Sequence, residues 1–168
     1  SEALQRTAEE LRAQTGAEVL AVEADLTVRE QVEALVRRSL DHYRQIDVLI
    51  VNCGGPPPGE FMDLTIEDWE AGIRTTLMST LYLCYSVIPH MLGRGSGCII
   101  TSQSWATKQP LARLITSNSL RLAVLGIMKT LANELGPKGI RVNSINPAWT
   151  WTDRIAQLMA DRAQANKT

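Results

Sequence analysis

Hydrophobic residues recur along this chain with two alternating periods, one helical and one extended. A spacing of three and four residues links Leu4, Ala8 and Leu11, and Gly16 follows as a stop signal. The pattern predicts an amphipathic helix at the start of the chain. The next run, EVLAVEAD, is short and apolar and ends at Asp25, which predicts a strand.

The next two segments repeat this alternation. Thr27 and Glu30 have the spacing of a capping box, which predicts the start of a second helix. The stripe predicted to be buried consists of Val28, Val32, Leu35, Val36 and Leu40. The continuous apolar run IDVLIV then predicts a strand that is covered on both faces, and the glycines and prolines of NCGGPPPGEF predict a loop.

The second half of the chain follows the same order. Thr65 opens a helical pattern over 65–91, the turn GRGSG follows, and CIIT predicts a third strand. Helical spacing returns over 111–135 and stops at Gly136, after which IRVNSI predicts a fourth strand. A last helix is predicted to begin near Thr152.

Strands separated by helices predict an α/β fold with a parallel, doubly wound sheet and right-handed crossovers. The chain has 168 residues, of which 45% are hydrophobic and 21% charged, enough for one sizeable core but too few for two domains. Because no repeat or linker interrupts the pattern, we predict a single domain over 1–168.

Charge and cysteine usage narrow the function classes. The formal net charge is −1 with both signs interleaved, which favours neither nucleic acid nor an anionic membrane as a partner. The three cysteines, Cys53, Cys84 and Cys98, form no C-x-x-C pair, and His42 and His90 lack metal-ligand spacing. With no signal-peptide pattern or transmembrane run, these features predict a soluble cytoplasmic protein without a metal.

Small and hydrogen-bonding residues follow each predicted strand. In a parallel sheet, ligands bind beyond the carboxyl ends of the strands. Any one of these segments by itself is typical of a strand-to-helix turn, but four at one edge predict a binding site. The segments are Asp25-Leu26-Thr27, Asn52-Cys53-Gly54-Gly55, Thr101-Ser102-Gln103-Ser104 and Asn146-Pro147-Ala148.

Three of these segments resemble motifs of the short-chain dehydrogenases/reductases, and the resemblance runs over essentially the whole chain. DVLIVNCGGPPPG resembles the family's D-x-L-V-N-N-A-G segment. GSGCIITSQS resembles the strand that carries the catalytic serine, which implies that role for Ser104. LGPKGIRVNSINPAWTWTD is similar to the family's G-I-R-V-N-x-I-x-P-G-x-x-x-T.

The resemblance implies a Rossmann-like fold and NAD or NADP as cofactor, with a carbonyl or alcohol as the small-molecule substrate. Asp25 and Leu26 match the pair that meets the adenine. The segment after IRVNSI matches residues that hold the nicotinamide half of the cofactor. The cofactor-binding residues so implied are Asp25, Leu26, Asn52, Cys53, Gly54, Arg121, Pro147, Ala148, Thr150 and Thr152.

The catalytic positions depart from the family. Its tyrosine stands thirteen residues after the serine and its lysine four residues later, which here gives Ser117 and Arg121. The family's catalytic asparagine falls on Thr76. A serine hydroxyl is shorter and less acidic than a phenol, and an arginine stays protonated but keeps a positive charge that suits ribose hydroxyls or a developing oxyanion. Binding is therefore expected to survive better than proton transfer.

Lys108 has two interpretations. The segment after Ser104 borders the substrate pocket in this family, so a desolvated Lys108 would be a substitute acid. An exposed loop charge is the simpler interpretation. Trp105, Trp149 and Trp151 also follow strand ends, where they either line a pocket for an apolar substrate or pack.

A second departure is that the 168 residues contain no glycine-rich dinucleotide loop, since GRGSG precedes a strand rather than opening a helix. Relative to the family, the chain is expected to lack the first two strands, the first helix and the last strand. The missing strands belong between EVLAVEAD and IDVLIV in the sheet, so a continuous sheet would need a rearranged order. We therefore expect a piece of a longer polypeptide.

Two function classes remain open. The first is an NAD(P)-dependent oxidoreductase for a carbonyl or alcohol, similar to 3-oxoacyl reductases, in which Ser104 orients the oxygen. The second is a catalytically impaired relative that binds a nucleotide or a partner subunit. The resemblance also implies a homodimer or homotetramer that assembles through the helices at 65–91 and 111–135.

Overall fold

Three parallel strands and five α-helices make up the fold in this computed structural model, which describes residues 1–148, 150, 155–156 and 159–160. A π-helical segment, Ile73–Met78, joins α3 to α4. The strands are β1 (Val48–Val51), β2 (Gly97–Ser102) and β3 (Ile140–Ile145). The helices are α1 (Glu2–Thr15), α2 (Arg29–Tyr43), α3 (Ile66–Gly72), α4 (Ser79–Arg94) and α5 (Ile115–Leu135).

The sheet has the order β1-β2-β3, and both neighbouring pairs are parallel. Ile99 at the centre of β2 pairs with Leu49 of β1 and Val142 of β3. Helix α4 makes the first crossover and α5 the second. The predicted Rossmann-like alternation of parallel strands and helices is therefore confirmed, and the last strand agrees with IRVNSI residue for residue.

The main core lies between one face of this sheet and the helices. Side chains alternate between the two faces of a strand, so Ile99 and its neighbours in register point to the same side. There they meet apolar residues of α2, α4 and α5. The buried members of this core are Val36, Cys84, Val87, Met91, Ile99, Val124, Met128, Leu135, Ile140 and Val142.

The opposite face of the sheet is largely uncovered by the described residues. Val48 is 51% exposed, Ile50 64% and Ile145 52%. The prediction that IDVLIV is covered on both faces is therefore wrong for this part of the chain. The physical reason is that α4 and α5, the two crossover helices, both pack on the core side.

The apolar run EVLAVEAD does not form the predicted strand. Its backbone bonds instead to side chains of α1 and α2: Leu20 N donates to Tyr43 Oη at 2.8 Å, and Arg12 donates to Val19 O. A strand needs a neighbouring strand to satisfy its backbone, and none of the three strands pairs with this segment. Hydrophobicity alone could not reveal that the neighbour is missing.

Two helix starts differ from the sequence prediction. The capping box of Thr27 and Glu30 does not form, because Thr27 Oγ1 donates instead to Asp25 Oδ1 at 2.7 Å and α2 begins without a side-chain cap. Helix α5 begins at Ile115 rather than at 111. The preceding residues form a loop in which Arg113 has a positive φ of 58°.

Candidate active site

The carboxyl ends of β2 and β3 are joined into one edge by hydrogen bonds beyond the last ladder pair. Trp105 N donates to Pro147 O at 3.2 Å, and Thr107 Oγ1 donates to Asn146 Oδ1 at 3.1 Å. These bonds hold Asn146 and Pro147 against the turn that follows Ser104. Both residues stand at the start of the segment that, by the family resemblance, holds the nicotinamide half of the cofactor.

Ser104 begins this turn. Its Oγ accepts a hydrogen bond from Ala106 N at 3.2 Å and caps the 3₁₀ turn Trp105–Thr107. Because the capping bond uses the oxygen as acceptor, the hydroxyl proton remains available to a ligand oxygen. Ser104 is half-buried at the carboxyl edge. This geometry suits orientation of a carbonyl or alcohol oxygen.

Ser117 and Arg121 lie one turn apart on α5 and contact each other. Arg121 Nε donates to Ser117 Oγ at 3.2 Å, and Arg121 Nη1 donates to Ser102 O at 3.3 Å. Both side chains are half-buried. The guanidinium therefore joins the α5 turn to the end of β2, two residues before Ser104, and it brings positive charge to this edge.

Thr76 lies in the π-helical segment and is 3% exposed. Helix α5 packs against this segment: a Cβ on Gly72, the residue before it, would stand 3.1 Å from Leu120 Cδ1. π-Helical turns of this kind are frequent at functional sites because they displace side chains from the regular helical positions. The residue aligned with the family's asparagine is thus buried in a segment that packs on α5, the helix that carries Ser117 and Arg121.

The loop after β1 approaches the same region. A Cβ on Gly54 would stand 3.3 Å from Thr75 Cγ2, so the backbone there lies close to the π-helical segment. Asn52 and Gly54 are exposed, whereas Cys53 is half-buried and packs on the small cluster formed by Val32, Val51 and Leu83. The exposed amide and backbone can be reached by a ligand at the carboxyl edge.

Asp25 and Leu26 reach this edge although their segment is not a strand. Leu26 packs on the same cluster as Cys53. Asp25 Oδ1 accepts hydrogen bonds from Thr27 Oγ1 at 2.7 Å and Thr27 N at 2.9 Å. These bonds, the side-chain bond first, lower the pKa of the Asp25 carboxyl below its usual range, so it is a carboxylate at neutral pH.

Lys108 is exposed, and its backbone N donates to Trp105 O at 2.8 Å at the end of the 3₁₀ turn. The geometry matches an exposed loop charge rather than the desolvated lysine that a substitute acid requires. Trp105 is 37% exposed beside it. Trp149, Trp151, Thr152 and the predicted last helix lie outside the described residues, and Ala148 and Thr150 are exposed.

Gln103 is a buried polar residue to which the sequence reasoning gave no role. It is 8% exposed, and its backbone N donates to Ile145 O at 2.8 Å. By strand alternation its side chain shares the core face with Ile99 and Thr101. The strand pattern predicts an apolar residue at this position. The amide found there is the sequence signal that could have identified Gln103.

A large surface groove lies elsewhere. It has a volume of about 770 Å³, runs between α2 and α4, and contains none of the predicted site residues. The α2–α4 groove is lined by surface side chains, among them the ion pair of Arg29 and Glu33, and by apolar side chains such as Leu40. Within the described ranges, no cluster of three or more His, Cys, Asp or Glu is placed to hold a metal ion.

None of the helices in the described part of the chain is long and apolar enough to cross a membrane.

A parallel α/β sheet with polar residues gathered at its carboxyl edge defines the class of nucleotide-binding Rossmann-like proteins. The family model described as short chain dehydrogenase matches residues 1–163. The chain therefore belongs to the short-chain dehydrogenase family.

Relatives of known name agree with this assignment. A 3-oxoacyl-[acyl-carrier-protein] reductase of Chlamydia pneumoniae is 32% identical over 143 residues, which is 85% of this chain and 58% of the relative. The structure of L-sorbose reductase from Gluconobacter frateurii with NADPH and L-sorbose superposes with a TM-score of 0.90 at 29% identity, over 98% of this chain and 63% of that one. An actinorhodin polyketide ketoreductase with NADPH gives a TM-score of 0.91 at 31% identity, over 96% and 62% of the two chains.

The chain thus spans about three fifths of the length of the relatives it matches.

Proposed function

We propose that this chain is the part of an NAD(P)-dependent oxidoreductase that carries its substrate-oxygen site, and that the reaction interconverts a carbonyl and an alcohol. The observation that carries the proposal is the convergence of Ser104, Ser117 and Arg121 at one edge, through the bond from Arg121 to Ser102 O. Family membership supports the reaction class.

The residues present fit a dinucleotide at the carboxyl edge. Asp25 offers an ionised, exposed carboxylate to an adenine amine. Asn52 and Gly54 present exposed polar and backbone groups, and a side chain at Gly54 would press on Thr75. Pro147 lies against the turn after Ser104. When bound, the cofactor supplies or accepts the hydride.

The residues proposed to hold the cofactor are Asp25, Leu26, Asn52, Cys53, Gly54, Arg121, Pro147, Ala148, Thr150 and Thr152.

The side chains of this chain act on the substrate oxygen. Ser104 donates its free hydroxyl proton in a hydrogen bond and fixes the orientation of the oxygen. Arg121 places a permanent positive charge nearby, which favours negative charge on that oxygen as it develops. Ser117 offers only a short and weakly acidic hydroxyl. The site therefore retains the groups that orient the substrate oxygen and stabilise its negative charge, while its acid catalysis is weak.

Substrates of two chemical kinds are suggested by the relatives. A 3-oxoacyl-[acyl-carrier-protein] is the substrate named for the reductases of Chlamydia and Synechocystis, and L-sorbose is bound in the structure from Gluconobacter. Both carry a carbonyl group that an Arg121-assisted site can polarise. We propose a 3-oxoacyl compound as the first candidate because these reductases match at the higher identity.

The experiment that tests this function uses the full-length protein with NADPH or NADH and either acetoacetyl-coenzyme A or L-sorbose. We expect slow, protein-dependent loss of absorbance at the nicotinamide band with at least one pair. The 168-residue chain by itself should bind either dinucleotide poorly, because it contains no glycine-rich loop for the pyrophosphate. A micromolar Kd for this chain alone would contradict that expectation.

Alkylation of Cys53 reports binding without turnover. Burial, with a smaller contribution from Cys53, raises the pKa of the Cys84 thiol to about 11, and Cys98 is buried, so both react slowly with iodoacetamide at pH 8. Half-buried Cys53 beside exposed Asn52 is the accessible thiol. NADPH should slow its alkylation in the full-length protein, and an unchanged rate at saturating NADPH would argue against the cofactor site.

A non-catalytic relative that binds a nucleotide or a partner subunit is the second candidate. The loss of tyrosine and lysine at Ser117 and Arg121 favours it. The carbonyl-reduction assay and the alkylation of Cys53 separate the two candidates. Protection of Cys53 by NADPH without any reduction of the carbonyl probes identifies a binding protein.

We also propose that the protein self-associates through the helices at 65–91 and 111–135. Large apolar side chains are exposed on them: Tyr85 is 78% exposed, Ile66 70% and Leu122 48%. Light scattering of the full-length protein should give a dimer or tetramer, and Leu122→Glu should shift it toward the monomer, with Leu11→Glu on α1 as the matched control. A strict monomer at high concentration would refute the proposal.

A further inference from the structure

The first turn of α5, which carries Ser117, has no side-chain cap of its own. Leu114, the residue before the helix, makes no capping bond with its side chain. The backbone N–H of Ile115 donates instead to Gly59 O at 3.4 Å, a carbonyl of the β1–α3 loop, residues 52–65. Because the first N–H groups of a helix have no partner within the helix, such contacts help to fix where it begins. The start of α5 therefore depends on a segment that is distant in the sequence.

Thr116 binds the same loop from inside the fold. Its side chain is fully buried, and its Oγ1 donates to Pro57 O at 2.6 Å. Pro56, the residue before the accepting carbonyl, is fully buried as well. A buried hydrogen bond between distant segments contributes to holding them together, and its loss leaves the carbonyl without that donor. Thr116 thus attaches α5 to the loop that carries residues 52–54, which are proposed to hold the cofactor.

Asn118 binds a second loop, the β2–α5 loop, residues 103–114. Its Oδ1 accepts a hydrogen bond from Leu111 N at 3.1 Å, and its Nδ2 donates to Leu111 O at 2.9 Å. A carboxamide that both accepts from and donates to one residue holds it at two points. The β2–α5 loop contains Ser104 and ends just before the turn of Ser117. Asn118 therefore fixes the loop that connects these two site residues.

Arg113 joins the two loops to each other. Its backbone O accepts from Gly59 N at 2.8 Å, and its guanidinium nitrogens lie 3.7 Å from Glu60 Oε1 and 3.4 Å from Asp63 Oδ2. Its φ of 58° is uncommon for a residue other than glycine and persists where the surroundings fix the backbone. The start of α5 is thus a junction at which two loops and a helix hold one another.

We propose that Thr116 and Asn118 are positioning residues that act on different ligands. Thr116 holds the β1–α3 loop for the cofactor, and Asn118 holds the β2–α5 loop for the carbonyl substrate. The two residues stand on either side of Ser117 in the sequence, and side chains so placed on a helix do not face each other. Each therefore reaches a different loop. The hydrogen bonds stand on the geometry alone, whereas the positioning role rests on the proposed reductase function.

Hydrogen exchange tests the hold on the β2–α5 loop without any assay of activity. Asn118→Leu removes both polar groups of the carboxamide with little change of shape. In the full-length protein, the Leu111 N–H should then exchange about fivefold faster or more, because it loses its acceptor. The control is Asn133→Leu, which removes an exposed carboxamide near the other end of α5. An unchanged rate in Asn118→Leu, or an equal rise in the control, overturns the proposal.

Calorimetric titration of NADPH into the full-length protein tests the part of Thr116. Thr116→Val should weaken binding about fivefold, because Pro57 O loses its donor, and Thr116→Ser should retain the wild-type Kd because it keeps the hydroxyl. The matched control is Thr130→Val, whose hydroxyl donates only to Gly126 O one turn earlier on the same helix, at 3.1 Å. It should bind as the wild type does. Unchanged binding in Thr116→Val, or an equal loss in Thr116→Ser, contradicts the role of this hydroxyl.

Steady-state kinetics tests the part of Asn118. Asn118→Leu should raise the KM for acetoacetyl-coenzyme A about fivefold, with kcat and the Kd for NADPH changed by less than about twofold. Asn118→Ala, which adds no apolar group, should show the same split. If Thr116→Val and Asn118→Leu instead weaken both ligands alike, the loops do not act separately and the proposal is wrong.

Failure of the proposed function gives a different result. A wild-type protein that neither binds NADPH nor reduces a carbonyl probe would refute the reductase and the positioning role together. The exchange of the Leu111 N–H would still be faster in Asn118→Leu, because the hydrogen bonds do not depend on the reaction.

Discussion

Replacing Ser117 by Tyr together with Arg121 by Lys should raise the rate of carbonyl reduction by the full-length protein by about 10²-fold. The phenol extends farther than the serine hydroxyl and is a stronger acid, and a lysine ammonium beside it lowers its pKa. Ser117 and Arg121 already contact each other at 3.2 Å, so the new pair would occupy neighbouring positions on α5. Turnover should be measured with NADPH and acetoacetyl-coenzyme A.

The matched control is Ser117→Phe with Arg121→Lys, which supplies the ring and the lysine without the phenolic proton. It should stay at or below the wild-type rate. Ser117→Tyr and Arg121→Lys made singly should gain far less than the pair, because each acts through the other. Brisk wild-type turnover that Lys108→Met abolishes, with no gain in the double variant, would make Lys108 the acid and refute the loss of proton transfer.

Gly139→Ala should destabilise the fold by about 3–4 kcal/mol. Gly139 has φ +81°, and a Cβ built there would lie 2.1 Å from Gly95 O and 3.1 Å from Gly95 C. Neither contact is to a flexible side chain, so the backbone turns that precede β2 and β3 would have to move apart. Urea denaturation of the full-length protein measures the free energy of unfolding directly.

Gly95→Ala is the matched control for this prediction. Gly95 has φ +66°, but nothing lies within 4 Å of its added Cβ. Only the backbone strain of a left-handed residue remains, which costs about 1 kcal/mol. Equal losses in the two variants would mean that the close approach to Gly95 O contributes nothing, contrary to the packing described.

The sequence predicted the elements whose hydrophobic pattern is satisfied locally. Helix α1 forms between Ser1 and Gly16 as its caps require, and β3 matches IRVNSI. The prediction of a strand for EVLAVEAD was wrong because strand pairing depends on a neighbouring strand, which no local pattern encodes. Helix α5 starts late for a similar reason, since Gly59 N donates to Arg113 O at 2.8 Å and holds the residues before Ile115 in a loop.

The candidate site was partly predictable because some of its residues lie on one helix, where their spacing in the sequence fixes their relative positions. Residues one turn apart on a helix must meet, and Ser117 and Arg121 do so. Their bond to the end of β2 depends on how α5 docks on the sheet, which the family resemblance implied but hydrophobic periodicity could not. Gln103 was overlooked because its burial is a tertiary property, visible only once the face of β2 that α5 covers is known.

The same reasoning explains why Lys108 kept two interpretations at the level of sequence. A lysine at that position is an acid when buried and a surface charge when exposed, and the choice depends on the turn that follows Ser104. In the described structure the 3₁₀ turn Trp105–Thr107 directs Lys108 outward. The exposed position of Lys108 therefore favours the surface charge over the substitute acid.

The central claim is that cofactor binding is retained at a site that has lost the usual acid. Calorimetric titration of NADPH into the wild-type full-length protein, and into the Ser117→Tyr, Arg121→Lys variant, tests it most directly. We expect a Kd in the micromolar range for the wild type and the same value within about threefold for the variant, since Arg121→Lys keeps the positive charge proposed to contact the cofactor and the other proposed cofactor residues are unchanged. No detectable wild-type binding, or a gain of tenfold or more in the variant, would contradict the claim.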